Sequence, residues 1–198
     1  MNIDRKSSSR ATHHANTPGS VRIIGGRWRG TRLPVPDRPG LRPTSDRVRE
    51  TLFNWLQPQL TGARVLDLFA GSGVLGMEAL SRGAASAQLI EADAPLALSL
   101  KALGGRLDAG DQLGVHAGDA LAWLRSAPEA SFDIAFVDPP FDAGLWDAVL
   151  ALLPARMAAQ GWIYLESPTA VAPVFPPEWA LHRENHTRDV RYALYRRR

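Results

Sequence analysis

The sequence of 198 residues contains no cysteine, which excludes disulfides and every metal site built on thiolates. Lysine is nearly missing too. Of 23 basic residues only Lys6 and Lys101 are lysines, so the positive charge sits almost entirely on guanidinium groups, whose planar forks suit phosphate; a GC-rich genome would produce the same bias. No apolar run approaches the ~20 residues a membrane-spanning helix requires. The first twenty residues lack the apolar core of a secretory signal, and the cytoplasm is the expected location. His13 and His14 stand alone in a polar stretch, so no metal is expected. With 45% hydrophobic and 22% charged residues, the composition is that of an ordinary globular protein, long enough for one α/β domain and an appendage.

The formal net charge of +3 conceals a division along the chain. Residues 1–60 carry a net +7, residues 61–180 a net −8, and residues 181–198 a net +4. An acidic body flanked by basic segments points to a polyanionic partner held by the flanks, against the alternative of solvated basic tails.

Residues 1–20 are rich in Ser, Thr, Asn and His without periodicity and are expected to be disordered. Two short strands over 21–24 and 27–33, around Gly25-Gly26, predict a β-hairpin or bent ribbon. Pro34, Pro36, Pro39 and Pro43 mark an extended loop. Thr44 or Ser45 then caps a helix with Asp46 in its first turn and Val48, Leu52, Trp55 and Leu56 on one stripe, Pro58 lying just past its end. Beyond Ala63 the pattern alternates: strands over 64–68, 86–91, 112–116, 132–137 and 161–166, helices over 73–82, 95–104, 119–126 and 143–153. This predicts a parallel sheet with helices on both faces. The final strands, 179–185 and 190–196, are joined too tightly for a parallel crossover and must be antiparallel. The domain plan is therefore a tail over 1–20, a basic hairpin-and-helix extension over 21–60 and the main domain over 61–198.

Gly71, Gly73 and Gly76 form G-x-G-x-x-G between a predicted strand and helix, a loop that brings backbone close to a ligand. A dinucleotide site is the natural competitor. Asp67, at the carboxyl end of the preceding strand, decides against it, because a pyrophosphate drawn to the helix N-terminus would meet a fixed negative charge. A ligand with an ammonium and a sulfonium but no phosphate would be attracted, and S-adenosylmethionine has that charge pattern. Glu91 ends the second strand, where a carboxylate can accept both ribose hydroxyls. Asp119 either accepts from an adenine amino group or caps the helix that follows it.

Asp138-Pro139-Pro140-Phe141 closes the fourth strand at the same edge. Two prolines cannot donate hydrogen bonds and hold the chain extended, presenting the Pro139 carbonyl beside the Asp138 carboxylate. Two converging acceptors suit an NH2 group with two hydrogens to give. Hydrogen bonds from both would draw the lone pair of a base amine out of its ring and toward an electrophilic methyl group. Phe141 supplies a face for the base. This is catalysis by positioning and electrostatics.

These motifs, Asp67 to Gly76, Glu91, Asp119 and Asp138 to Phe141, resemble the ordered motifs of class I methyltransferases, the last in its amino-methyltransferase form. More specifically, Arg22-Ile23-Ile24-Gly25-Gly26-Arg27-Trp28-Arg29-Gly30, Arg42-Pro43-Thr44, residues 46–54 and residues 68–73 resemble the RsmD family, which methylates N2 of a guanine in bacterial 16S ribosomal RNA. The resemblance covers residues 21–198. It implies a Rossmann-like domain with a seven-stranded, mostly parallel sheet closed by an antiparallel hairpin, extended by an N-terminal β-hairpin. It implies S-adenosylmethionine held by Thr44, Asp67, Phe69, Gly71, Gly73, Gly76, Glu91, Asp119, Ala120 and Asp138, with Asp138, Pro139, Pro140 and Phe141 catalytic. RNA is expected on Arg22, Arg27, Trp28, Arg29, Arg32 and Arg47, Trp28 either stacking on a base or packing on the body. The expected partner is ribosomal RNA or the small ribosomal subunit, with no membrane, and the chain is expected to act as a monomer. The rival enzymes are an N6-adenine or other amino-methyltransferase and an NAD-dependent oxidoreductase; a catalytically dead RNA-binding protein is the third alternative.

Overall fold

The computed structural model describes residues 19–35 and 45–198. The expected tail up to Pro18, the loop prolines 36, 39 and 43, and Thr44 lie outside those residues. Nine strands and five helices follow in order: β1 (Ser20–Arg22), β2 (Arg32–Pro34), α1 (Asp46–Leu60), β3 (Arg64–Asp67), α2 (Val74–Ser81), β4 (Ser86–Glu91), α3 (Ala94–Arg106), β5 (Leu113–Ala117), α4 (Ala120–Ser126), β6 (Phe132–Val137), α5 (Trp146–Leu152), β7 (Met157–Pro168), β8 (Trp179–His186) and β9 (Val190–Arg197). No helix among the described residues is long and apolar enough to cross a membrane.

Seven strands make one sheet in the order β5-β4-β3-β6-β7-β9-β8. The first five are parallel, whereas β9 runs antiparallel to both β7 and β8. Strand β3 has β4 on one side and β6 on the other, so the chain reverses its direction of winding there and opens a crevice at the carboxyl ends of these strands. Alternate residues face opposite ways. Val65, Ile134, Phe136, Tyr164, Tyr192 and Leu194 pack with α1, α2, α3 and the β1–β2 ribbon, while Leu66, Leu68, Ala135, Val137, Ile163 and Leu165 pack with α4 and α5.

Ser45 caps α1 by accepting from Val48 N at 3.3 Å, and Asp46 lies in the first turn. Val48, Leu52 and Leu56 are buried as their spacing predicts, while Trp55 is half-buried and stacks on Tyr192. Pro58, expected beyond the helix, lies inside its last turn. The cost of a proline falls on the single backbone bond it cannot make, and the buried Leu60 holds the turn beyond it. The N-terminal ribbon also differs from expectation. Its strands have three residues each, β1 begins at Ser20 within the expected tail, and Gly25-Gly26 is not the turn between short strands over 21–24 and 27–33. Residues 23–31 form a broad loop closed by Gly30 N to Ile23 O at 2.8 Å and Ile23 N to Thr31 O at 2.9 Å. Four of its backbone amides, those of Ile24, Gly25, Arg27 and Trp28, are satisfied by α2 instead of by a strand partner. Ile24 N and Gly25 N donate to the Glu78 carboxylate at 2.7 and 2.8 Å, and Trp28 N donates to Ser81 Oγ at 2.9 Å.

Candidate active site

Strand β3 delivers Asp67 to the carboxyl edge of the sheet, where its side chain is 3% exposed. The following loop bends back so that Gly76 N, in the first turn of α2, donates to Asp67 Oδ2 at 3.1 Å. Burial pushes the Asp67 carboxyl up to about 7; the Gly76 amide opposes the rise, the Glu91 carboxylate adds to it and the Phe69 amide opposes it. Its immediate contacts are thus loop amides, and it acts on a ligand through its charge and through the loop it shapes.

The glycines of that loop are required for different reasons. Gly73 has φ +73°, and a Cβ there would fall 2.5 Å from Leu100; one on Gly76 would fall 2.5 Å from Leu89. A side chain at either point would press a leucine methyl group that packs α2 against β4 and α3, so glycine here keeps that packing close. The loop's amide at Gly71 points to the end of β4, donating to Glu91 Oε2 at 2.8 Å, while Asp93 N donates to Glu91 Oε1 at 2.8 Å. Glu91 thereby ties the β3–α2 loop to the β4–α3 loop, and each of its oxygens keeps a lone pair for a hydroxyl. Phe69, half-buried, packs on the second core.

Of the two readings of Asp119, capping is what the structure displays. The residue is exposed, precedes α4, and accepts from Ala122 N at 2.7 Å, while Ala120 is buried as the first helical residue.

At the end of β6, Asp138 is half-buried, Pro139 is buried, and Phe141 is 38% exposed with its ring 5.9 Å from Trp146. Neither the Asp138 carboxyl nor the Pro139 carbonyl accepts a hydrogen bond from a described residue. Both acceptors are open among the described residues. Burial, then the carboxyls of Glu166 and Asp67, push the Asp138 carboxyl well above the usual carboxylate range.

Glu166 is a site residue that the sequence reading passed over. Parallel pairing sets Val137 beside Leu165, which places Asp138 next to Glu166 at the next step of the register. Glu166 is 5% exposed and accepts from the Tyr164 hydroxyl at 2.8 Å, and its backbone carbonyl accepts from Trp146 Nε1 at 2.8 Å. A carboxylate at the last position of a predicted strand, on the same edge as Asp67 and Asp138, was the available signal.

The expected RNA residues do not converge on this edge. Arg22 pairs with Asp46 at 2.9 Å, and Arg32 donates to Ser20 Oγ at 3.3 Å. Arg27 donates to Gln112 Oε1 at 2.6 Å and lies 4.2 Å over the Trp28 ring. Trp28 is half-buried against the core, so it packs on the body. Arg29 and Arg47 are exposed. The basic side chains lie on the ribbon and α1, with Arg27 reaching the amino end of β5 at Gln112, away from the carboxyl edge.

Residues 21–196 match the model of a family described as conserved hypothetical protein 95. A protein of Escherichia coli (strain K12) named ribosomal RNA small subunit methyltransferase D is 49% identical over 184 residues, covering 90% of this chain and 91% of that one. The protein of that name from Haemophilus influenzae is 41% identical over 184 residues, covering 91% and 95%. The solved structure of a candidate methyltransferase, yhhF from Escherichia coli, superposes with a TM-score of 0.83 at 48% identity, covering 90% of this chain and 98% of that one.

Proposed function

The chain belongs to the RsmD family, whose model is described as conserved hypothetical protein 95, and on that premise we propose that it methylates the exocyclic N2 of a guanine in the 16S RNA of the small ribosomal subunit. It is an S-adenosylmethionine-dependent ribosomal RNA methyltransferase. The base and the atom belong to that proposal and go beyond the relatives' names. The observation that carries them is the pair of open acceptors at the end of β6, the Asp138 carboxyl and the Pro139 carbonyl, with Phe141 exposed beside them.

The cleft fits the methyl donor by its chemistry. Residues 67–76, 91–93, 118–120 and 138–141 contain five carboxylates and no lysine or arginine. Such a lining repels a pyrophosphate and attracts an ammonium and a sulfonium. When bound, S-adenosylmethionine supplies an electrophilic methyl group. Glu91 is assigned the ribose hydroxyls, Asp119 the adenine amino group through the oxygen that does not cap α4, and Asp67 the positive end of the ligand. Thr44, Phe69, Gly71, Gly73, Gly76 and Ala120 complete the assigned lining. Asp138 and the Pro139 carbonyl take the two N–H groups of the base amine, and Pro140 keeps the segment extended. Phe141 stacks on the base. A carboxylate that begins this motif, in place of an amide, supports guanine over adenine. Residues 61–198 are the catalytic domain in this proposal and residues 21–60 its RNA-facing extension, through Arg22, Arg27, Arg29, Arg32 and Arg47, with Trp28 packed on the body under Arg27. The protein works as a monomer on RNA in the cytoplasm.

The test is methyl labelling of hypomethylated small-subunit RNA, free and assembled, followed by nucleoside analysis. N2-methylguanosine is the expected product, and N6-methyladenosine would transfer the assignment to the adenine branch. Asp138→Ala is expected to lower turnover by at least about a hundredfold, the scale of losing one preorganised polar group, with cofactor affinity changed far less. Near-normal turnover would remove Asp138 from the mechanism.

A further inference from the structure

Helix α1 covers one face of the sheet but stops short of its β8 edge. A groove of about 420 Å³ opens there, its wall formed by Asn54 and Trp55 of α1 and by Trp162, His182, Arg183 and Arg196 of the sheet. The volume is that of a small-ligand site, yet its lining includes no carboxylate.

Three observations distinguish this groove from an ordinary basic surface. The first is how the closing strands use their arginines. Arg191 is paired with Glu184 at 2.7 Å, Arg188 sits 4.0 Å from Asp189, and Arg197 donates to the Met157 carbonyl. Arg183 and Arg196 are exposed and have no ion pair or side-chain hydrogen bond among the described residues. The second is a β-bulge. Strand β8 steps from Leu181 to Arg183 while β9 steps only from Tyr195 to Leu194. In a regular strand His182 and Arg183 would point to opposite faces; the extra residue brings both to the groove. The third is its aromatic wall. Trp162 meets His182 edge-on at 5.0 Å, and Trp55 lies stacked on Tyr192 at 5.7 Å. Partial burial and the charges of Arg183 and Arg196 lower the His182 pKa, keeping that imidazole neutral between the two cations.

A second cavity, of about 460 Å³ between the ribbon loop and the end of α2, has its arginines engaged already, Arg27 with Gln112 and Arg82 with Glu78. It offers no comparable pair of open cations.

Unpaired guanidinium groups, held indoles and no acid are the chemistry that grips single-stranded nucleic acid, phosphates on the cations and a base on the aromatic surface. We propose that this groove is a second RNA-binding site, which holds a single-stranded segment of the substrate RNA away from the base being methylated. The inference rests on the ribosomal RNA methyltransferase reading above. Trp162 precedes Glu166 by four residues on β7, so the groove lies about 13 Å from the catalytic edge.

The experiment uses the full chain carrying Arg183→Gln and Arg196→Gln together, with Arg188→Gln as a control on the same hairpin. Binding of hypomethylated small-subunit RNA is measured across a salt series, beside steady-state methylation. The double variant should flatten the salt dependence by about 1.4 log units per log unit of salt, two contacts at about 0.7 each. It should raise KM for RNA, leave kcat at saturating RNA near wild type and leave S-adenosylmethionine affinity unchanged. The control should retain the wild-type slope. An unchanged slope and KM in the double variant, with wild-type chain still methylating the RNA, overturns the groove and spares the enzyme assignment. Groove-dependent RNA binding without methyl transfer by the wild type keeps the groove and overturns that assignment. Normal binding of naked RNA with a raised KM only on the assembled particle overturns the RNA occupant in favour of an acidic protein segment.

Discussion

Glu78 has no exposed surface, yet three segments of the chain meet on its carboxylate. Ile24 N and Gly25 N donate to it from the ribbon loop, Arg82 from the end of α2 at 2.7 Å, and the fully buried Arg49 of α1 at 3.5 Å. Arg49 also donates to the Arg22 carbonyl and to Asp46, at 2.8 and 2.7 Å. Removing one partner of a buried pair strands the other, at about 3–5 kcal/mol. Glu78→Ala should therefore lower the unfolding free energy by that amount, read from the denaturant midpoint. Nothing in the sequence marks this residue, since an acid in a predicted helix looks like a solvated one and only the docked ribbon makes it central. Asp67 was the more visible acid, because its strand-end position before the glycines is a sequence property. That it bonds loop amides is not, since this depends on how α2 turns back. Its carboxyl, held up to about 7 by burial, titrates in the fold well above the ordinary aspartate value of about 3.9. The native state therefore binds the extra proton. The stability this contributes is full below about pH 4 and is lost as pH rises through about 7. A cationic ligand reverses the preference by favouring the ionised form. S-adenosylmethionine should bind more tightly as pH rises from about 6 to about 8, with proton release. Calorimetry in two buffers of different ionisation enthalpy measures that release, and Asp67→Asn should abolish it.

Loops and ribbons were where residue types were legible and their partners were not. The pair Gly25-Gly26 reads as a hairpin turn, but it is a docking surface. Gly26 has φ +76°, and a Cβ on it would overlap the backbone carbonyl of Ser81. Gly26→Ala should lift the ribbon loop off the end of α2, lowering the melting temperature and RNA affinity while S-adenosylmethionine binding stays within about twofold. Unchanged melting would show that the loop is not held there. The β4–α3 connection behaves in the opposite sense, with Glu91 joined to Gly71 N and Asp93 N. Glu91→Ala should weaken S-adenosylmethionine by roughly 1–3 kcal/mol, the scale of lost charge-assisted hydrogen bonds. Calorimetry showing full affinity in a folded variant would remove Glu91 from the ribose role. Most regular elements are legible because their signal is local, though β7 begins at Met157, four residues ahead of the expected 161. Short apolar runs separated by helical stretches mark β3 through β7, and the side-chain caps at Ser45 and Asp119 mark two helix starts, while the third, at Asp93, is seen only in the structure. Trp28 was open between two readings, since no local pattern says whether an indole meets a base or the core.

Across the whole molecule, positive charge lies at the two ends of the sequence and negative charge in the cleft-bearing middle. The fold keeps the same division, with arginines on the ribbon, α1 and the closing strands and acids along the carboxyl edge. Arg27 and Arg32 each hold a neutral partner, Gln112 and Ser20, which orients a guanidinium without neutralising it. Replacing Arg27, Arg29 and Arg32 by Gln should flatten the salt dependence of RNA binding by up to about two log units per log unit of salt. Cofactor titration of the same variant should match wild type. An unchanged slope would move the RNA surface to the closing strands. The antiparallel ending could be inferred from the short turn between its strands. Which of the two lies against β7 could not, because that depends on Tyr192 and Leu194 being buried under α1. It is β9 that fills the gap, pairing with β7 from Trp162 to Pro168 and with β8 along its other edge. The strand that comes last in sequence order within the sheet is thus an interior one. A nascent chain that stops before Val190 leaves β8 unpaired and β7 paired only with β6, so the sheet closes only once β9 has been made through Arg197. Every ribosome making this protein must hold an open sheet edge until then, and an interrupted chain is a substrate for proteolysis before it can be a catalyst.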